Sequence, residues 1–256
     1  DASALVGIGS WMQDGEIHAV PVPAVALDAA RQVAGTAHRV TAGIHRGQYL
    51  ARRAGIDHRA GTAAMVIISM GHHQGIQRAQ ALAAQGFIVA LPGSEGGLSP
   101  DHAEFGRDLR FVVDALAASA QWTAAVGDRR AIGGHSMGGG AAVLAVAAGT
   151  GIDALFALAP ADTQPSAITA AASVSAPTLL ITGSRDCVTP SDQHALPILA
   201  ALATPAEHKL RVDIAGASHC QFSGGSLTCS IGEASCGGGA TIGASYQQQQ
   251  TLAILI

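Results

Sequence analysis

Ala131-Ile-Gly-Gly-His-Ser-Met-Gly-Gly-Gly140 is the stretch that decides the fold. It contains the motif G-x-S-x-G at 134–138, in which a serine occupies a tight turn between a strand and a helix. An apolar segment precedes the motif, and a run of small residues with helical character follows it. Such a turn strains its central residue, so the residues two positions away must be small. The pattern predicts an exposed, nucleophilic Ser136. The alternative is a glycine-rich turn that leads into a buried helix.

Strands and helices alternate on both sides of this turn. Apolar runs with the length of buried strands lie at 63–69, 86–92, 128–133, 153–159, 177–183 and 209–214. Helical spacing or composition lies at 76–85, 102–120, 139–149, 193–202 and 246–256. This alternation predicts a mostly parallel sheet with helices on both faces. We expect a single domain, 1–256, made of an irregular N-terminal part (1–60), a core (62–222), and a disulfide-held loop with a C-terminal helix (223–256).

Composition excludes several classes of function. The 256 residues are 48% hydrophobic, 12% charged and 4% aromatic, and their net charge is −4. Without a basic patch or aromatic platforms we expect no nucleic-acid partner. No apolar run reaches the length of a transmembrane segment. The first residues do not resemble a signal peptide and there is no initiator Met, so we expect a mature, processed chain. We also expect a monomer.

Two further strand ends carry possible partners for Ser136. Reactive groups in parallel sheets collect beyond the carboxyl ends of the strands. A serine nucleophile needs a neutral imidazole to take its proton, and the imidazole needs a carboxylate to orient it. Asp186 follows the fifth apolar run, and His219 follows the sixth. The order Ser136, Asp186, His219 is the one expected for α/β-hydrolases, and it predicts a catalytic triad on that fold.

Other titratable residues are weaker candidates. Asp162 also follows a strand and is an alternative acid, whereas Asp153 begins its strand and so lies at the wrong edge. His135 precedes the serine on the strand side of the turn, which favours a packing or supporting role. His194 falls on a predicted helix.

A tetrahedral oxyanion needs hydrogen-bond donors in the same place. We expect one from the backbone N–H of Met137, at the helix start, and one from the N–H of His72, in the turn after the first strand. His72 and His73 could also be interpreted as metal ligands. Adjacent histidines point to different sides, however, and no third ligand has matching spacing, so we expect neither a metal nor a cofactor.

Four cysteines lie late in the chain, at 187, 220, 229 and 236, and none forms a C-x-x-C pattern. We expect two disulfides and hence an oxidising compartment, with the protein secreted or periplasmic. Four free thiols in a cytosolic protein are the alternative. Cys187 follows the candidate acid and Cys220 follows the candidate base, so a triad would bring these two cysteines near each other. We therefore expect the pairs Cys187–Cys220 and Cys229–Cys236.

The assembled motifs resemble the secreted bacterial cutinase and polyester-hydrolase family of α/β-hydrolases, with related lipases. The resemblance covers residues 62–222, and its matching segments are 69–72, 85–89, 134–140, 186–190 and 216–219. It implies an α/β-hydrolase fold and a serine hydrolase of small or polymeric carboxylic esters, without a cofactor. The triad carries over as Ser136, Asp186 and His219, with Met137 and His72 as oxyanion donors.

Two positions depart from that family. His72 stands where the family usually has an aromatic residue that packs on the substrate, and Ala161 stands after the fourth strand where no Trp follows. A disulfide beside the triad is similar to one in the mesophilic polyethylene terephthalate hydrolases of this group. The same triad would also serve an amidase, peptidase, thioesterase or lactone hydrolase. A hydrolase-like binding protein without activity is the non-catalytic alternative.

Overall fold

A seven-stranded sheet is the frame of the protein in the computed structural model, which describes residues 10–13, 16–19, 48–52, 63–69, 79, 82–83, 87–92, 100–118, 126–223 and 227–255. The strands are β1 (Ser10–Gln13), β2 (Glu16–Ala19), β3 (Gln48–Arg52), β4 (Ala63–Ser69), β5 (Ile88–Pro92), β6 (Val126–His135), β7 (Ala154–Leu158), β8 (Thr178–Gly183) and β9 (Lys209–Ile214). The sheet order is β3-β5-β4-β6-β7-β8-β9, and β1 pairs with β2 separately. Only the pairing of β3 with β5 is antiparallel within the seven-stranded sheet.

The helices of the described residues follow the strands in alternation. They are α1 (His102–Ala118), α2 (Met137–Ala147), α3 (Ala167–Ala171), α4 (Ala195–Ala201), α5 (Leu227–Ser235) and α6 (Ala244–Leu255), with 3₁₀ turns at Ala206–His208 and Cys220–Phe222. None of these helices is both long and apolar enough to cross a membrane.

Two apolar clusters cover the two faces of the sheet. Along β7, Leu155 and Ala157 belong to the cluster formed with α1, α2 and α4. Phe156 and Leu158, which alternate with them, belong to the cluster that includes Phe222 and side chains of α6. Because successive side chains of a strand point to opposite faces, helices must cover both. The predicted mostly parallel sheet with helices on both faces is confirmed.

Strand positions follow the apolar runs closely. β4 and β9 have the predicted bounds, and the four parallel strands between them differ by one or two residues at their ends. Helices α1, α2, α4 and α6 also lie where helical spacing predicts them. In the N-terminal part, β1, β2 and β3 are strands, and the remaining residues of 1–60 lie outside the described ranges. The proposed division of the single domain into three parts stays a prediction.

Two segments differ from expectation. The disulfide-held loop predicted within 223–256 contains helix α5, and the segment between β7 and β8, for which no helix is predicted, contains the short helix α3. The sequence of α5 is LTCSIGEAS, which is poor in strong helix formers. Tertiary contacts and disulfides stabilise this helix, and intrinsic propensity alone does not predict it.

Candidate active site

Ser136 occupies the junction between β6 and α2. Its backbone has φ 57° and ψ −123°, a conformation that is costly for any residue with a side chain. The Ser136 N–H donates to the carbonyl of Leu158 at 3.0 Å, and the Ser136 carbonyl accepts from Ala161 N–H at 2.9 Å. Both partners belong to the end of β7 and the loop that follows. The neighbouring strand therefore holds the strained serine turn in place.

Glycines make this turn possible because backbone lies against backbone. A Cβ added to Gly134 would overlap the carbonyl of Gly138, and one added to Gly140 would overlap the carbonyl of Ala161. Gly134 is thus required by the contact between the strand end and the first turn of α2, and Gly140 by the contact of that turn with the loop after β7.

Replacing Gly134 by alanine is expected to lower the free energy of unfolding by about 3 kcal/mol or more, since backbone atoms must move to admit the methyl group. Thermal unfolding measures the effect, and we expect a decrease of roughly 6–12 °C. Gly232→Ala is the matched control. Gly232 lies in α5 with no atom within 4 Å of an added Cβ, so its replacement should leave stability unchanged or slightly higher. Equal melting temperatures for the two variants would contradict this account of the turn.

The three residues predicted as a triad lie in hydrogen-bond contact. Ser136 Oγ is 2.9 Å from His219 Nε2, and His219 Nδ1 is 2.8 Å from Asp186 Oδ2. The side chains of His219 and Asp186 are each only 2% exposed. A neutral imidazole that accepts a proton from Ser136 at Nε2 carries its own proton on Nδ1. The Nδ1–H then donates a hydrogen bond to the carboxylate of Asp186.

The carboxylate of Asp186 is held by four contacts in the loop after β8. Oδ1 accepts the backbone N–H groups of Val188 and Thr189, at 2.9 and 2.8 Å. Oδ2 accepts from His219 and lies 2.9 Å from the hydroxyl of Thr189. Asp186 therefore closes an Asx turn with one oxygen and orients the imidazole with the other.

Two buried side chains from later in the chain hold the peptide groups on either side of His219. Gln247 of α6 accepts the N–H of Ser218 at 3.0 Å and donates to the Ser218 carbonyl at 2.7 Å. Glu233 of α5 accepts the N–H of Cys220 at 3.2 Å. Gln247 is fully buried and Glu233 is 7% exposed. The backbone around the imidazole is thus fixed by two helices.

The weaker candidates have other partners. His135 is buried, its Nε2 donates to the His219 carbonyl at 3.1 Å, and the two rings lie 4.6 Å apart between centroids. His135 therefore contacts both the ring and the backbone of His219. Asp153 accepts the backbone N–H of Arg130 at 2.8 Å at the opposite edge of the sheet.

Asp162 is committed to the loop after β7. One carboxylate oxygen accepts the hydroxyl of Ser166 at 3.0 Å and the N–H of Ile168 at 3.1 Å, at the start of α3. Its own N–H donates to Nδ1 of His194 at 2.9 Å, so that histidine also has a structural partner. The carboxylate that contacts His219 is that of Asp186.

The disulfides are two in number, as predicted, but the predicted pairing is wrong. Cys187 is bonded to Cys236, and Cys220 is bonded to Cys229, with Cα atoms 5.9 and 5.6 Å apart. The side chains of Asp186 and His219 meet, but the residues that follow them turn away from that contact and face α5. Cys229 lies in α5 and Cys236 follows its last residue, so the helix connects the two loops. Two disulfides indicate an oxidising, non-cytoplasmic compartment.

One of the two predicted oxyanion donors lies in the described part of the chain. Met137 is the first residue of α2, and the first N–H groups of a helix have no partner within it. The positive end of the helix dipole also lies there. His72, the second predicted donor, lies outside the described residues. Among the residues that are described, no group of three His, Cys, Asp or Glu side chains could hold a metal ion.

Comparison with known proteins identifies the family. No match was found among curated proteins. The model of a family described as PETase, PET hydrolase-like, matches residues 57–248. This range is well over half of the chain, and it includes the serine turn, the loops that follow β8 and β9, and all four cysteines. The chain therefore belongs to the PET hydrolase-like family, ester-hydrolysing enzymes of the cutinase and polyesterase group of α/β-hydrolases.

Proposed function

We propose that this protein is a serine hydrolase of carboxylic esters that acts through an acyl-enzyme. Ser136 is the nucleophile, His219 the general base and acid, and Asp186 the carboxylate that orients it. The observation that carries the proposal is the continuous hydrogen-bonded chain from Ser136 Oγ through the imidazole to Asp186, at 2.9 and 2.8 Å. Nucleophile, base and orienting acid in mutual contact are what this chemistry requires.

The reaction takes place in two halves. Nε2 of His219 takes the hydroxyl proton of Ser136 as Oγ bonds to the ester carbonyl carbon. The proton then passes to the leaving alcohol as the carbonyl–alcohol C–O bond breaks. In the second half, water gives a proton to Nε2 and attacks the acyl-enzyme, and the Ser136 Oγ–acyl bond breaks with return of that proton. Asp186 stays ionised throughout and stabilises the imidazolium. This mechanism requires no cofactor.

Backbone donors complete the site. In each half the carbonyl oxygen becomes an oxyanion, and we propose that the N–H groups of Met137 and His72 bind it. Removal of one such donor typically costs about 10²–10³ in kcat. The Met137 N–H is supported by its position at the start of α2, directly after the nucleophile.

The surface near the serine suits an uncharged acyl group. Met137 and Val188, each next to or close to a triad residue in sequence, are exposed apolar side chains, at 40% and 37%. Ala161, which donates its N–H to the Ser136 carbonyl, is a small residue where a large aromatic would pack on a substrate ring. We propose aliphatic esters, small or polymeric, as substrates in preference to aromatic polyesters.

An alkyl p-nitrophenyl phosphonate tests the nucleophile directly. We expect stoichiometric release of p-nitrophenol and a phosphonyl group on the peptide that contains Ser136, because phosphorus reacts where an ester carbon would. Intact-mass and peptide-mass measurement detect it. The Ser136→Ala variant should gain no mass, and Ser175→Ala, which alters an exposed hydroxyl before β8, should be labelled normally. Ester hydrolysis without labelling of Ser136 would contradict the proposal.

A substrate panel separates the ester hydrolase from its rivals. At matched concentrations, p-nitrophenyl esters of increasing chain length are expected to be hydrolysed, and p-nitroanilides and lactones much more slowly. A preference for anilides or lactones would identify an amidase or lactone hydrolase on the same triad. We further propose that the protein acts as a monomer and is secreted or periplasmic.

A further inference from the structure

Thr189 touches both members of the acid–base pair, a contact that the reaction as described does not use. Its side chain is buried, with the residue 6% exposed. Its Oγ1 lies 3.0 Å from Nδ1 of His219, 2.9 Å from Oδ2 of Asp186 and 3.1 Å from the carbonyl oxygen of Ala159. Three polar atoms on three different segments thus converge on one hydroxyl.

The hydroxyl can serve these contacts in only one way. A threonine hydroxyl has one proton to donate and two lone pairs. His219 Nδ1 carries a proton when Nε2 accepts from the nucleophile, so it cannot accept from Thr189. The hydroxyl proton therefore points to Asp186 Oδ2 or to the Ala159 carbonyl. In both cases a lone pair of Oγ1 faces the Nδ1–H of His219. This N–H group therefore has two acceptors, the carboxylate of Asp186 and the hydroxyl oxygen of Thr189.

Thr189 also connects the pair to the sheet. Ala159 directly follows β7 and has φ 43°, and its N–H donates to the Ile181 carbonyl of β8 at 2.7 Å. The N–H of Thr189 itself donates to Oδ1 of Asp186 at 2.8 Å. One residue therefore contacts both carboxylate oxygens, the imidazole and the end of a central strand.

From these contacts we infer that Thr189 is a positioning residue, which fixes the tautomer and orientation of His219 through its hydroxyl. The inference rests on the proposed function, in which His219 is the base. Proton transfer from Ser136 makes the imidazole cationic and strengthens every hydrogen bond from Nδ1–H. The hydroxyl then contributes more to the transition state than to substrate binding, so its loss lowers kcat and leaves KM nearly unchanged.

Two substitutions separate the hydroxyl from the bulk of the side chain. Thr189→Val keeps the branched shape and removes the hydroxyl, and kcat is expected to fall about tenfold with KM within twofold. Thr189→Ser keeps the hydroxyl and is expected to retain kcat within about twofold. Thr189→Ala serves if the valine variant does not fold, as judged by near-ultraviolet circular dichroism, and should show the same loss as valine.

The tautomer of His219 provides a readout that does not depend on turnover. In protein labelled with ¹⁵N-histidine, the His219 signals are assigned by their loss in His219→Gln. We expect the neutral ring of His219 to carry its proton on Nδ1 in the wild type and in Thr189→Ser. Thr189→Val should show a mixture of tautomers or faster exchange of that proton.

The outcomes distinguish this inference from the proposed function. Unchanged kcat in Thr189→Val, an equal loss in the serine and valine variants, or an unaltered tautomer would overturn the positioning role. Retained ester hydrolysis in Ser136→Ala would instead overturn the proposed function, whatever the tautomer measurement shows.

Discussion

Replacing Ser136 by alanine is expected to reduce kcat/KM for a soluble ester by about 10⁴–10⁶-fold and to leave the fold intact. The variant loses the hydroxyl that lies 2.9 Å from Nε2 of His219, so no acyl-enzyme can form. Alanine adopts the strained backbone of the turn no worse than serine, and the hydrogen bonds that hold the turn are made by backbone groups. Melting temperature should therefore change little.

A control and a double substitution sharpen this experiment. Ser175, exposed in the segment that leads into β8 at the opposite edge of the sheet, is the matched control, and Ser175→Ala should retain full activity. Because nucleophile and base act as a unit, Ser136→Ala combined with His219→Ala should be no less active than either single variant. Additive losses would indicate that the two side chains act independently. Ser136→Ala with near-normal turnover would refute the assignment.

The sequence predicts which residues lie at the carboxyl ends of the strands, and there is a physical reason for this. In a parallel sheet every strand delivers its carboxyl end to the same edge, so residues just after successive strands become neighbours. Local patterns locate Ser136, Asp186 and His219 at such positions, and topology brings them together. The motif glycines are predicted in the same way, because the close approach of strand and helix backbone follows from the motif itself.

The side chains that support the site are not predictable in this way. Thr189 and His219 are in contact although they are 30 positions apart in the sequence, and Gln247 and Ser218 are 29 positions apart. Gln247 is one of four consecutive glutamines, and only the rotation of α6 decides which of them is buried. A threonine three residues after a turn-forming aspartate is a weak signal for the contact of Thr189. These contacts depend on side-chain direction, which apolar periodicity does not specify.

The disulfide pairing is not predictable for the same reason. The order of the triad residues places Asp186 beside His219, but the direction of the cysteines that follow them depends on α5, a helix that its composition does not predict. Disulfides join α5 and the residue after it to both sides of the site. Cys236 is bonded to the loop that carries Asp186, and Cys229 is bonded to the turn that follows His219. The two loops are braced through a helix.

Removal of the two disulfides is expected to have unequal effects on stability. Cys187 and Cys236 are separated by 49 positions, whereas Cys220 and Cys229 are separated by 9. In the chain-entropy model the longer loop contributes about 4 kcal/mol to the free energy of unfolding and the shorter about 2.6 kcal/mol. Cys187→Ala/Cys236→Ala should therefore melt roughly 8–16 °C lower, and Cys220→Ala/Cys229→Ala roughly 5–10 °C lower.

Activity should fall in both double variants before the global transition, since each one releases α5 from one of the loops that carry the acid and the base. Calorimetry gives the melting temperatures, and initial rates of ester hydrolysis at rising temperature give the activity loss. Peptide mapping of the unreduced wild type should detect a disulfide-linked peptide pair that contains Cys187 and Cys236. A Cys187–Cys220 peptide would contradict the brace, and so would equal melting temperatures for the two double variants. The variant without all four cysteines tests whether the two disulfides are coupled. Because both disulfides act through α5, its loss of activity, expressed as a free energy, should be smaller than the sum of the losses in the two double variants.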